Sequence, residues 1–174
     1  MFAPQAPAGN PSTNADSWDG YRISRSRVFD MVERHKVQNF VVFTGDVHSS
    51  WAYDLPRGLS DAYDPATGKA SLGVEIVCPA VSSPTPFTRE NAAERLATIT
   101  KARPHLKYMD GLSRGYVVVD VTRERLQADW WLLDSVKTRN AEQHFAKGLV
   151  CEAGSRHLTD AGAPMAPMTG ADPA

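Results

Sequence analysis

The chain has 174 residues, 42% of them hydrophobic, and 19 Lys+Arg against 20 Asp+Glu leave a formal charge of −1. That length suits one domain or a large piece of one, and so even a charge balance excludes a global field drawing the chain to nucleic acid or to an anionic membrane. No apolar run approaches the roughly 18 residues needed to span a bilayer, and the first residues have neither the basic start nor the apolar core of a signal peptide.

Residues 1–17, rich in Pro, Ala, Ser and Asn, are expected to form a flexible N-terminal segment. Ile23, Val28, Phe29, Met31 and Val32 then recur near helical spacing among charged residues, which predicts an amphipathic helix over 22–36. His35 and Lys36 suit its negative pole. Phe40, Val41, Val42 and Phe43 form a continuous apolar run, the signature of a strand covered on both faces. Thr44, Gly45 and Asp46 end it, residues 46–50 become a loop at the strand end, and a second strand runs through Trp51, Ala52 and Tyr53.

Segment 56–72 is dense in turn formers, including Asp64-Pro65 and Thr67-Gly68, and predicts an exposed connection. VEIVCPAV reads as another apolar strand. After two prolines, Thr88 is expected to cap a helix over 89–101, and RPHLKYMDGLSRG reads as irregular. YVVVDVT and LQADWWLLDSV predict a strand pair with one apolar face, adjacent Trp130 and Trp131 pointing to opposite sides. HFAKGLVCEAG supplies a last strand, and the Ala, Pro, Met and Gly tail is expected to be disordered. The organisation is therefore a flexible segment over 1–17, a folded part over 18–158 and a tail over 159–174, with an α/β fold built on a mixed, strand-rich sheet. Cys78 and Cys151 match no zinc or redox spacing, and two buried free thiols are expected rather than a disulfide.

The most informative feature is Gly45-Asp46-Val47-His48-Ser49-Ser50, directly after an apolar strand, where ligand sites of open α/β sheets lie. Two residues apart, Asp46 and His48 can offer a hard oxygen and an imidazole nitrogen to neighbouring points, which suits a mixed metal centre. By spacing alone, a turn-capping Asp46 and a satisfied buried His48 fit as well, since two ligands do not close a coordination sphere of four to six donors. His105, Lys107 and Asp110 lie in the irregular segment, as substrate contacts or as solvated charges. Arg114 is placed to meet a phosphate bidentately or to anchor Asp120 or Asp129. Trp18 and Tyr21 read as packing anchors, and His35, His144 and His157 as ordinary surface residues.

FVVFTGDVHSSWAYDLP resembles the last metal-binding block of the PhoD family, within the calcineurin-like metallophosphatases. WDGYRISRSRVFDMVERHKVQNFVVFTGDVHSSW, VEIVCPAVSSP, PHLKYMDGLSRGYVVVDVT and LQADWWLLDSV resemble successive segments of that family, in its order, over residues 15–155. The resemblance implies the C-terminal part of a metallophosphatase-type αββα sandwich. It further implies hydrolysis of phosphomonoesters or diesters by a metal-activated water, with Asp46 and His48 as catalytic metal ligands and with calcium and iron(III), or other divalent metals in their place, as the metals. His105 and Arg114 are the candidate substrate contacts. Where related phosphatases carry a histidine, this sequence carries Asp46, which suits a hard cation. The family's upstream metal blocks are not found in this sequence: no Asn-His pair occurs in it. The expected partners are therefore a phosphoester and either the missing N-terminal half or a second copy. The chain alone is expected to be inactive, and the parent periplasmic or secreted. The contrasting expectation is a non-catalytic β-rich binding module in which GDVHSS is only a turn.

Overall fold

A computed structural model of the chain describes residues 1–4, 15–59, 62–139 and 142–166. The first helix, α1 (Arg22–Arg34), leads into β1 (Val41–Thr44), β2 (Ser50–Pro56) and β3 (Ser71–Val77). A second helix, α2 (Ala92–Ala102), precedes β4 (Leu106–Asp110), β5 (Arg114–Val121), β6 (Arg125–Leu133), β7 (Gln143–Glu152) and the two-residue β8 (Thr159–Asp160). The strands form two four-stranded sheets in the orders β1-β3-β2-β4 and β5-β6-β7-β8. The first sheet is mixed, with β1 parallel to β3 and the other pairs antiparallel. The second is antiparallel throughout. None of the described helices is long and apolar enough to cross a membrane.

Side chains that alternate along β2 send Trp51 and Tyr53 to one face and Ala52 to the other. The first pair joins Phe29 and Val32 of α1, with Leu55, Leu72, Val77 and Phe87, in a cluster on the helical side. Ala52, Val74 and Ile76 meet Leu126, Ala128, Trp130, Leu149 and Cys151 between the sheets. The layers therefore run helix, sheet, sheet, the partial sandwich expected. Val118 stands exposed on the second sheet, among whose described neighbours there is no outer helical layer.

Several sequence expectations need correcting. The apolar run at β1 is not covered on both faces: it is the edge of its sheet, and Phe43 remains 56% exposed. The segment read as irregular contains β4, because Trp51, Ala52 and Tyr53 offer it a pairing edge that overrides its weak local pattern. Helix α2 starts at Ala92 rather than at residue 89, and Thr88 does not cap it: the Thr88 carbonyl instead accepts from Asn91 and Ala92. Cys78 and Cys151 are free, but Cys78 is exposed. In the tail, β8 pairs with β7, and the Met165 N–H donates to Asp129 Oδ2 at 2.7 Å. Residues 167–174 of that tail lie outside the described residues.

The first residues are not loose either; residues 5–14 of the expected flexible segment lie outside the described ones. The Phe2 ring meets Trp18 and Phe29 edge-on at 5.0 and 5.2 Å. Beneath it, the fully buried Glu75 carboxylate of β3 accepts from the Phe2 N–H at 2.7 Å, the Ala3 N–H at 2.8 Å and the Thr44 hydroxyl at 2.6 Å. Arg25 of α1 adds Nη1 bonds to the Phe2 carbonyl at 3.3 Å and to buried Asp19 at 2.9 Å. Of the two expected anchors, Trp18 touches Phe2 although it is 38% exposed, and Tyr21 is 59% exposed. Replacing Glu75 by alanine leaves these donors without their acceptor and should lower stability by about 2–3 kcal/mol. Urea unfolding checks this, with faster hydrogen exchange at the Phe2 and Ala3 amides as the local signature.

Candidate metal centre

Strands β1 and β3 are parallel and end in register at Thr44 and Val77, while β2 begins beside them with Trp51 opposite Val77. The connection from β1 to β2 therefore arches over the carboxyl end of β3, at the kind of crevice where open α/β sheets bind ligands. Within this arch Asp46 and His48 have φ of +70° and +57°. Both are left-handed, a conformation costing an L-residue with a Cβ about 1–2 kcal/mol. The arch is held in that shape from below: buried Ser49 donates to the Val47 carbonyl at 3.1 Å and accepts from Trp51 Nε1 at 2.7 Å. Val47 packs onto the helical-side core.

His48 Nδ1 lies 3.0 Å from the Pro84 carbonyl. A carbonyl only accepts, so Nδ1 carries a proton; in the neutral ring Nε2 then keeps its lone pair, the tautomer typical of a metal-binding imidazole. The Asp46 carboxylate is exposed, and no hydrogen bond or ion pair among the described residues engages it. A Cβ placed on Gly45 would meet open space. Asp46 and His48 are the side chains of the arch that could hold a cation. Among the described residues no group of three or more His, Cys, Asp or Glu side chains gathers to hold a metal.

Arg114 begins β5 and donates through Nε to the Ser83 carbonyl at 3.1 Å. It anchors neither carboxylate considered for it: Asp120 pairs with Arg125 at 3.4 Å, and Asp129 accepts from Gln127 at 3.0 Å. Arg114 and His48 therefore grip adjacent carbonyls, Ser83 and Pro84, and the guanidinium stands beside the segment that orients the imidazole.

His105 does not contact solvent and is corrected as a substrate contact. It is fully buried, with its ring 5.2 Å from that of Tyr53 and 6.3 Å from that of Tyr63. Neither ring nitrogen has a hydrogen-bond partner among the described residues. Burial lowers its pKa to about 3, opposed by the Pro4 main chain, which approaches without hydrogen-bond geometry. Lys107 reaches the Pro65 carbonyl at 2.7 Å, and Asp110 caps the turn after β4 through the Leu112 and Ser113 amides at 2.9 and 2.7 Å.

Sequence reasoning missed Asp54. Fully buried on β2, it accepts from the Tyr63 hydroxyl and His157 Nδ1, each at 2.7 Å, and from the Leu158 N–H at 2.9 Å, with Lys107 Nζ at 3.4 Å. His157 is thus no ordinary surface histidine. Burial and the Asp54 charge push the Tyr63 phenol well above its usual range. A lone carboxylate in a strand otherwise apolar from Trp51 to Pro56 was the available signal, because such a charge persists only with partners.

The family model for PhoD-like phosphatases matches residues 1–130, which include the Asp46–His48 arch, His105 and Arg114. The chain belongs to the PhoD-like phosphatase family. It is 33% identical over 132 residues to alkaline phosphatase D of Bacillus subtilis (strain 168), a match spanning 74% of this chain and 21% of that protein. A solved structure of PhoD superposes with a TM-score of 0.77 at 27% identity, covering 96% of this chain and 31% of that one. The present chain therefore spans about a fifth to a third of the length of these PhoD relatives. The shared architecture extends past the family match, through nearly the whole of both sheets.

Proposed function

We propose that this chain forms part of a metal-dependent phosphoesterase of the alkaline phosphatase D kind, acting on phosphomonoesters or diesters. The observation that carries the reading is the arch after β1, where an exposed Asp46 stands two residues from a His48 whose Nδ1 lies 3.0 Å from the Pro84 carbonyl. A hard carboxylate beside an imidazole matches calcium with iron(III). Bound cations would acidify water and neutralise phosphoryl charge. Asp46 and His48 would hold them, the Ser83–Pro84 carbonyls would keep His48 and Arg114 in place, and the Arg114 terminal nitrogens would meet phosphoryl oxygens. Further ligands would come from the remainder of a PhoD-like protein or from a second copy, and the parent would act in the periplasm or outside the cell. Alone, the chain would bind metal weakly and turn over no substrate.

Calorimetric titration with calcium and with iron(III) tests this. Weak binding is expected in the chain as it stands and none in Asp46→Ala or His48→Ala, with unchanged circular dichroism. A chromogenic phosphoester should be hydrolysed no faster than in buffer. Full turnover by the chain alone that survives His48→Ala would refute the assignment, and absence of any metal binding would favour a purely structural β-rich module.

A further inference from the structure

A cavity that includes Val47 of the arch in its wall lies between α2 and the first sheet and measures about 610 Å³. Sites for small organic ligands fall in that size range and combine apolar walls with a few polar groups. Here Trp51, Phe87, Ile99 and Val47 form the apolar walls, and Arg95 and Arg103 stand among them, with Glu94 the one acidic lining residue. Each guanidinium lies over an aromatic face, Arg95 at 4.9 Å from the Phe87 centroid and Arg103 at 5.9 Å from that of Trp51. Their hydrogen bonds go to neutral oxygens, the Pro86 carbonyl at 3.2 Å and the Tyr53 hydroxyl at 3.4 Å. Among the described residues neither forms an ion pair with a carboxylate, so the cavity presents two such cations beside two aromatic rings.

Its position ties the cavity to the arch. Val47, on its wall, is the residue between Asp46 and His48, and the segment that supplies Pro86 and Phe87 begins at the Pro84 carbonyl that orients His48. A molecule whose phosphoryl group met the arch could place its other end here. Helix α2, which borders the cavity, has no fully buried residue. We infer that this cavity is the subsite for the organic group of an anionic phosphoester, preferring aryl or other apolar groups, held between Trp51 and Phe87 with Arg95 and Arg103 supplying positive potential.

This inference rests on the phosphoesterase reading, and two non-hydrolysable probes separate the two. Affinities of 1-naphthylphosphonate and methylphosphonate for the full chain, with calcium present, are measured by calorimetry. Burial of the ring system should make the naphthyl compound roughly tenfold tighter or more. Ile99→Glu, a substitution at a half-exposed helical position, should abolish that advantage. Arg95→Gln, at an exposed position, should weaken the naphthyl compound several-fold, with circular dichroism confirming the fold of both variants. Equal affinity for the two phosphonates, an advantage that survives Ile99→Glu, or no binding of either would overturn the subsite. An Ile99-dependent advantage indifferent to His48→Ala would keep the cavity as a binding site and remove the phosphoester reading.

Discussion

Replacing Asp54 by alanine is expected to lower the unfolding free energy by about 3–5 kcal/mol, the usual consequence of deleting one partner of a buried charged cluster. The size follows from what the carboxylate satisfies. Its two oxygens take the Tyr63 hydroxyl, His157 Nδ1 and the Leu158 N–H within 2.9 Å, and Lys107 Nζ lies at 3.4 Å. These groups come from the 56–72 connection, the segment before β8, and β4, so one deletion strands donors from three parts of the chain. Out of a total of about 5–15 kcal/mol for a domain, such a loss brings the protein close to its unfolding threshold. Urea denaturation gives the value directly. Tyr63→Phe and His157→Gln, each removing a single bond, should cost about 1–2 kcal/mol. Their combination with Asp54→Ala should add little, since the acceptor is already gone.

Acid should weaken the fold through His105 before most carboxylates titrate. In the unfolded chain this imidazole takes a proton near pH 6.5; in the fold its pKa is lowered to about 3, first by burial and then by the positive charges of Arg103, Lys107 and Arg25. Between those values the unfolded state binds the extra proton, so stability rises with pH across that window and is lost as pH falls. Full stability from this group is present above pH 6.5, and the slope approaches about 1.4 kcal/mol per pH unit inside the window. His105→Phe should flatten the profile between pH 6 and about 4.5, before carboxylate titration takes over. Chemical denaturation across that range reads the difference between the two proteins, which removes the other four histidines from the comparison. Parallel profiles would mean that His105 is protonated, or exposed to water, in the folded state.

What could be read from the residues followed from their periodicity. Helix α1 carries Phe29 and Val32 on one stripe, and the β5–β6 pair announces itself by apolar runs around a short turn, so both were visible without tertiary context. Trp130 and Trp131 also took opposite faces, the first buried between the sheets and the second against Phe145 at 5.8 Å. The arch carrying Asp46 and His48 was legible because an apolar strand ends abruptly in Gly-Asp. Its left-handed turns were not, since nothing local in an Asp or a His demands positive φ. The strand β4 escaped because its residues alternate poorly and pair only once β2 is present. The segment of Phe2 and Ala3 looked too sparse in apolar content to order itself, and a carboxylate 73 and 72 residues away accepts their hydrogen bonds. His105 illustrates the same limit: composition placed it among loop charges, and only the packing of two tyrosines around it explains a neutral, dry imidazole.

The hydrogen bond from Trp130 Nε1 to the Val77 carbonyl, 3.3 Å long, joins an indole of β6 to the backbone of β3. Since Trp130 is sealed from solvent, its share of the emission of the four tryptophans, isolated as the difference between the protein and Trp130→Phe, acts as an internal gauge of whether the sheets remain stacked: that difference should shift to longer wavelength when water enters the seam. Followed alongside the amide circular dichroism during denaturation, the indole signal would register any intermediate in which the strands persist while the layers have come apart.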